Sequence, residues 1–89
     1  MITRTITIVN KHCLHARAAA LFVKTSTSFG AKIEVSSSNK HADGKSIMDM
    51  MMLEAACGRD LSLTIDGPDE KAAMNALVKL IKYRFGEPE

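Results

Sequence analysis

Tryptophan is absent from this sequence of 89 residues, and aromatic residues of all kinds make up 4% of it. None of the aromatic residues, Phe22, Phe29, Tyr83 and Phe85, falls in a segment with the alternating pattern of a strand. Modules that bind RNA or single-stranded DNA stack bases on aromatic side chains exposed on a sheet. The scarcity of such side chains therefore argues against a nucleic-acid-binding module.

Long apolar runs and a strong excess of charge are also lacking. No apolar stretch approaches the roughly 20 residues that a membrane-spanning helix needs, and residues 1–9 lack the basic-then-apolar order of a signal peptide. The net charge of +2 favours neither nucleic acid nor a membrane surface as a partner. The two cysteines, Cys13 and Cys57, can form at most one disulfide, so we expect reduced thiols in a cytoplasmic protein.

Two kinds of hydrophobic periodicity alternate along the chain. Apolar residues at every second position predict strands over residues 2–9, 32–37, 41–43 and 61–66. Apolar residues three and four positions apart predict helices over residues 16–27 and 47–56, and in a final segment that opens with Gly67-Pro68-Asp69-Glu70.

The resulting order βαββαβα predicts one α+β domain over residues 1–89, a two-layer open-faced sandwich. A four-stranded antiparallel sheet would carry three helices on one face. Its other face, rich in serine and threonine, would be wet.

Local signals predict further detail within these elements. Asn39 and Lys40 are typical of a turn, and Ser46 of a helix N-cap, with Asp49 completing a weak capping box. The predicted core face of the first helix comprises Ala19, Phe22 and Val23. The predicted core face of the last helix comprises Ala73, Ala76, Leu77, Leu80 and Ile81.

The stretch NKHCLHARAAA, residues 10–20, places His15 where the first strand gives way to the first helix. A helix start favours a bound anion, because its backbone N–H groups lack intrahelical partners and the macrodipole is positive there. Arg17, two residues later, adds a planar guanidinium that suits phosphate oxygens. A phosphohistidine site needs this combination, although a His-x-Arg tripeptide alone is more often a polar residue beside a solvated charge.

Three other kinds of site remain open. His12, Cys13 and His15 are crowded, and His41 or Cys57 could add metal ligands, but CxxC and HxxxH spacings are missing and a closed zinc site needs four ligands. We therefore expect no metal. Redox chemistry at the two cysteines is less common than unreactive thiols. A nucleic-acid-binding α+β module is the third alternative.

Methionine is concentrated in the second predicted helix, at positions 48, 50, 51 and 52. Four methionines in five positions cannot all face the core, so we expect one or two to be exposed. Flexible thioethers suit a surface that must fit several partners. The alternative is a methionine-rich edge of the core.

Three motifs follow one another at a spacing that resembles a known family. They are LHAR at residues 14–17, KSIM at residues 45–48 and the segment GR…DGP at residues 58–68. In that order they resemble the HPr family, the histidine-containing phosphocarriers of the bacterial phosphotransferase system, over nearly the whole chain. The chain departs from the family at Cys13 and Ala18, where glycine and proline are usual. The first departure bears on the loop conformation, but neither removes a group that handles phosphate.

This resemblance implies a phosphoryl carrier that is not an enzyme and uses no cofactor. His15 would accept a phosphoryl group on Nδ1 from phosphoenolpyruvate-charged enzyme I and pass it to a IIA-type domain. The backbone N–H groups of Ala16 and Arg17, together with the Arg17 side chain, would hold the phosphate oxygens. The identity of the acceptor branch, sugar transport or regulation, is left open.

The resemblance also implies a regulatory site and a docking surface. Ser46 matches the family's regulatory phosphorylation site, which an HPr kinase/phosphorylase would modify. Ala20, Ile47, Met48 and Met51 match the residues that dock partner proteins. We expect a monomeric bacterial protein of the cytoplasm that binds neither nucleic acid nor membranes.

Overall fold

A computed structural model describes residues 1–8, 16–53, 60–83 and 85, and in that part of the chain the elements follow the predicted order. The strands are β1 (Ile2–Thr7), β2 (Lys32–Ser37), β3 (Lys40–Asp43) and β4 (Asp60–Asp66). The helices are α1 (Ala16–Thr27), α2 (Ile47–Met52) and α3 (Glu70–Lys82). Residue 9 of the first predicted strand and residues 54–56 of the second predicted helix lie outside the described residues.

The four strands form one antiparallel sheet in the order β1-β4-β2-β3. Ile65 on β4 pairs with Ile2 on β1 and with Ile33 on β2, so an apolar row crosses three strands. Because side chains alternate between the two faces of a sheet, this register places the apolar side of each strand on the same face. Helix α3 packs on β1 and β4, α2 packs on β3, and α1 contacts both other helices.

The opposite face of the sheet is polar. Thr3 Oγ1 lies 3.3 Å from Thr64 Oγ1, and Thr5 Oγ1 lies 3.1 Å from Ser62 Oγ, in each case across the β1–β4 pair. Such cross-strand hydroxyl pairs add a modest stabilisation to an antiparallel sheet. The predicted open-faced sandwich, with helices on one face and hydroxyl groups on the other, is therefore confirmed.

The predicted core face of α1 is confirmed, whereas that of α3 is partly wrong. Ala19, Phe22 and Val23 are all buried. On α3 the buried residues are Ala73, Met74, Leu77, Val78 and Ile81. The predicted Leu80 is half-buried and packs against the core, whereas the predicted Ala76 is half-buried and is not part of that packing. Apolar residues cover a broad arc of this helix, so periodicity alone did not determine its rotation. Packing against the sheet and α1 turned the side with Met74 and Val78 inward.

The hairpin between β2 and β3 turns one residue earlier than predicted. Its central residues are Ser38 and Asn39, with φ of 50° and 69°, and Lys40 already belongs to β3. A two-residue hairpin loop with positive φ at both positions matches the right-handed twist of the flanking strands, and asparagine tolerates that conformation well. The turn therefore lies at Ser38 and Asn39, where the backbone matches the twist of β2 and β3.

Gly44 lets the chain pass close to β2 on its way to α2, and an alanine there is expected to destabilise the fold. The Gly44 amide donates to the Ile33 carbonyl oxygen at 2.9 Å. A Cβ at position 44 would overlap Ile33 Cγ2 and would lie 3.2 Å from the Ile33 carbonyl oxygen. We expect Gly44→Ala to lower the free energy of unfolding by about 1–3 kcal/mol, measured by urea denaturation.

Gly30→Ala is the matched control for that measurement. A Cβ at position 30 would have Asp69 Oδ2 as its nearest neighbour, at 3.9 Å, which is ordinary van der Waals contact. We expect this variant to unfold within about 0.5 kcal/mol of the parent protein. Equal stability of the two variants would contradict the close approach at Gly44.

None of the helices within the described ranges combines the length and apolar character needed to cross a membrane.

Candidate functional site

The predicted phosphohistidine, His15, lies outside the described residues, and so does the preceding loop with Cys13. The structure does describe the helix that follows it. Ala16 is the first residue of α1, and both Ala16 and Arg17 are exposed. The N–H groups of a first helical turn point out of the helix end, where the macrodipole is positive. His15 therefore immediately precedes a helix start that offers an environment suited to an anion.

Helix α1 exposes both of its cations and buries two of its four alanines. Ala18 and Ala19 are fully buried, whereas Arg17, Ala20 and Lys24 are exposed. The two charged side chains of α1, those of Arg17 and Lys24, are both positive, and the first turn of the helix has no acidic residue. This distribution suits an acidic or phosphorylated partner surface.

Ser46 is the N-cap of α2, as predicted. It has extended backbone angles, with φ −118° and ψ 116°, and its Oγ accepts a hydrogen bond from the Asp49 amide at 3.2 Å. Its carbonyl oxygen accepts the first helical bond, from the Met50 amide at 3.0 Å. The hydroxyl group thus already has a structural role at the helix start.

The second half of the predicted capping box is wrong. The Asp49 carboxylate accepts from the Asp43 amide at 3.1 Å, and the Ser46 amide donates to the Asp43 carbonyl oxygen at 3.0 Å. An aspartate is one methylene shorter than the usual glutamate, and the Ser46 amide already has a backbone acceptor. Asp49 therefore ties the start of α2 to the end of β3.

Lys45 holds the same loop from its other side, which the sequence reasoning missed. Its Nζ donates to the Phe29 carbonyl oxygen at 2.8 Å, just beyond the end of α1, and its amide donates to Asp43 Oδ1 at 2.9 Å. The second bond is an aspartate turn, and the Asp-Gly pair at residues 43–44 was the available signal. Ser46 is consequently presented by a loop connected to both α1 and β3.

Helix α2 presents an apolar surface to solvent. Met48 is 75% exposed, Met52 69%, Met51 46% and Ile47 45%, whereas Met50 is fully buried. The expectation of one or two exposed methionines was too low, since three are exposed. The reason is that α2 is short, so its core-facing side has room for one methionine, Met50. Met52 was missed as a surface residue, although its adjacency to Met51 in the sequence was a signal.

The residues of the alternative sites are not brought together in the part of the chain that is described. His12, Cys13 and Cys57 lie outside it, and His41 is exposed on β3 with its Nδ1 3.3 Å from Glu34 Oε1. No group of three potential metal ligands occurs among the described residues. The four aromatic residues all lie outside the strands, and Phe22 and Phe85 are buried. The sheet thus lacks the aromatic platform of an RNA-binding module.

The chain matches known proteins along its whole length. A family model described as the phosphorylation site of the phosphotransferase system HPr component matches residues 2–83. The phosphocarrier protein HPr of Cupriavidus necator is 46% identical over 89 residues, with 100% of each chain covered.

Solved structures of HPr proteins also match this chain. The structure of HPr-C-His from Thermoanaerobacter tengcongensis matches with a TM-score of 0.95 at 46% identity, covering 100% of both chains. An HPr dimer from the same organism matches with a TM-score of 0.78 at 47% identity, covering 98% of this chain and 100% of that one. The chain therefore belongs to the HPr family, the phosphocarrier proteins of the phosphotransferase system, which carry a phosphoryl group rather than act as enzymes.

Proposed function

We propose that this chain accepts a phosphoryl group on His15 from enzyme I and passes it to a IIA-type domain. The observation that carries the proposal is the family model of a phosphorylation site, which matches residues 2–83 and so includes His15. Incubation with phosphoenolpyruvate and enzyme I should place acid-labile phosphate on the chain. Retention of nucleic acid or of a metal ion in place of phosphate would favour the alternative kinds of module.

The proposed transfer is an exchange of one phosphorus–nitrogen bond for another. The lone pair of His15 Nδ1 attacks the phosphorus held on a histidine of enzyme I, and the bond to that histidine breaks as the new one forms. A neutral imidazole is required, and histidine supplies one at physiological pH. In the second transfer, a nucleophilic group of the acceptor domain attacks the phosphorus held on His15, and the bond to His15 Nδ1 breaks.

The start of α1 supplies the proposed phosphate-binding groups. The N–H groups of Ala16 and Arg17 and the exposed Arg17 side chain would stabilise the charge on the transferred oxygens. A carrier gains nothing from holding phosphate too tightly, because a strongly stabilised intermediate would slow the second transfer. An exposed helix end, completed by each partner in turn, suits that requirement.

The proposed partner docking surface consists of Ala20, Ile47, Met48 and Met51. All four are exposed, and they lie on two helices that pack against each other. Apolar side chains that remain in water in the free protein gain stability when a partner covers them. The exposed cations of α1, Arg17 and Lys24, would add attraction to acidic groups of that partner.

Ser46 is the proposed regulatory phosphorylation site, modified by an HPr kinase/phosphorylase. It is half-buried and directly precedes Ile47 and Met48, so a phosphate there would place charge next to the proposed docking surface.

We further propose that residues 1–89 act as one monomeric domain in the cytoplasm, without a cofactor and without binding nucleic acid or membranes. A single core cluster extending from Ile6 to Phe85 supports the one-domain proposal.

Replacing Arg17 with alanine is expected to slow transfer from enzyme I to His15 without abolishing it. A hydrogen bond to a charged group contributes roughly 1.5–3 kcal/mol, which corresponds to a roughly 10- to 100-fold loss of rate. The backbone donors of the helix start remain, so transfer continues. The measurement is the rate of phosphate incorporation at fixed enzyme I, with the thermal unfolding midpoint as a check on the fold.

Lys24→Ala is the matched control, since Lys24 is another exposed cation on α1, two turns further along. It removes the same charge at a distance from His15 in the sequence. We expect a smaller loss of rate that disappears at high salt. Equal effects of the two substitutions would exclude a specific contact between Arg17 and the phosphoryl group.

A further inference from the structure

We propose that Met48, Met51 and Met52 form an oxidation-sensitive modification site that controls docking. Peroxides would convert these thioethers to sulfoxides, and the oxidised protein would bind its phosphotransfer partners less well. The consequence for docking rests on the proposed function, whereas the selectivity of the modification rests on burial alone. We call these three residues the methionine surface.

Burial divides the six methionines of the chain into two groups. Met48, Met51 and Met52 are exposed on α2, and Met1 is exposed with its ammonium group 2.9 Å from Glu70 Oε2 at the start of α3. Met50 and Met74 are buried. Because Met50 lies within the same helix as the methionine surface, a difference in reactivity between them must arise from burial rather than from local sequence.

The chemical step is the transfer of one oxygen atom. A sulfur lone pair attacks an oxygen of hydrogen peroxide, the O–O bond breaks, and the sulfur becomes a sulfoxide while the remaining atoms leave as water. Sulfur is oxidised by two electrons and the peroxide is reduced by two. Methionine sulfoxide reductases reverse the product with thiol reductants, so the modification can act as a switch.

A sulfoxide removes the apolar character of the side chain, on which the proposed docking depends. It turns a flexible apolar side chain into a polar one, and burying a polar group without a partner is unfavourable. Met48 and Met51 belong to the proposed docking surface, and Met52 lies beside Met51 in the chain. A partner that covers these side chains would have to desolvate up to three sulfoxides. The fold should tolerate them, because each is already in contact with water.

The test treats the full chain with hydrogen peroxide and then with dithiothreitol, which reverses sulfenic acids and disulfides but leaves sulfoxides. Peptide mass spectrometry should find sulfoxide at positions 1, 48 and 52 first, then at 51, and last at 50 and 74. Circular dichroism should be unchanged. Affinity for enzyme I should fall roughly tenfold or more, and methionine sulfoxide reductases A and B should restore it.

Two variants assign the effect to the methionine surface. The triple variant M48L/M51L/M52L keeps apolar side chains of similar size and helix propensity but has no thioether on α2 that peroxide can reach. Its affinity for enzyme I should therefore be the same before and after peroxide treatment, whatever its untreated value. M74L, which replaces a buried methionine, should remain as sensitive as the parent. A Cys13→Ser/Cys57→Ser background should respond like the parent, which excludes the thiols as the cause.

The outcomes separate this inference from the proposed function. An untreated protein that enzyme I does not phosphorylate would overturn the proposed function, while the order of sulfoxide formation would still be measured. An untreated protein that docks normally, together with a fully oxidised protein that docks equally well, would overturn this inference alone. Equal oxidation of Met50 and Met48 would also overturn it, and reductase repair provides an independent check should the triple variant fold poorly.

Discussion

Replacing His15 with alanine is expected to abolish phosphorylation by enzyme I while leaving the fold intact. Without an imidazole at position 15 the phosphoryl group has no acceptor next to the start of α1. The free energy of unfolding should change by less than about 1 kcal/mol, because the substitution removes no residue of the core cluster. The core is also formed elsewhere, by residues such as Phe22, Leu63 and Leu77.

The measurement is acid-labile phosphate bound after incubation with phosphoenolpyruvate and enzyme I, followed by thermal unfolding of the same samples. His12→Ala and His41→Ala are the matched controls, because they remove the other two histidines of the chain. Both controls should accept phosphate. Phosphate on the His15→Ala protein would move the carrier to one of those histidines and overturn the proposed site.

Replacing Ser46 with aspartate is expected to slow transfer from enzyme I to His15 roughly tenfold or more without unfolding the protein. Aspartate is as good an N-cap as serine, so it can accept the hydrogen bond that the Asp49 amide now donates to Ser46 Oγ. The helix N-terminus stabilises the added charge, whereas the nearby Asp43 and Asp49 carboxylates oppose it. These effects offset each other, and the midpoint of unfolding should stay close to that of the parent.

The loss should instead arise at the partner interface. A charge at position 46 adjoins Ile47 and Met48, which are exposed in the free protein and would be covered by a partner. Desolvation of that charge opposes binding, and so does its repulsion of acidic groups that approach Arg17. Phosphoserine, with a charge of about −1.5 to −2, should act in the same direction and more strongly.

Ser46→Asn is the matched control, since it keeps the cap and the shape of aspartate but carries no charge. It should transfer at the parent rate. Ser46→Ala should lose about 1 kcal/mol of stability with its cap and should also transfer normally. Equal rates in all the variants would reduce Ser46 to a helix cap, and a large loss of stability in Ser46→Asp would place the effect on folding.

The sequence predicted the elements and the fold well because both depend on local chemistry. Strand and helix periods are visible in the order of apolar residues, and Ser46 is a local signal of a helix start. The predicted start of the last helix at Gly67-Pro68 was too early, because Asp69 is the N-cap of α3 and Pro68 precedes it. The four strands and three helices of the described residues follow the predicted order. His15 and the proposed phosphate-binding groups of Ala16 and Arg17 were inferred from the sequence, through motif and resemblance, and all of them stay predictions.

The predictions that the structure contradicts depended on contacts between elements that are distant in the sequence. The rotation of α3, which buried Met74 and Val78, depended on which surfaces of the sheet and α1 it met. Asp49 bonds to the Asp43 amide because the end of β3 lies beside α2, a proximity that the spacing of residues does not reveal.

By itself, then, the sequence determined the periodicity, the element order and the motif residues, since these are properties of neighbouring positions. Tertiary structure decided which apolar residues remain in water. Of four methionines in α2, the packing of one short helix against the core buries Met50 and leaves Met48, Met51 and Met52 exposed. Burial is a property of the surface that covers a side chain, and that surface comes from distant parts of the chain.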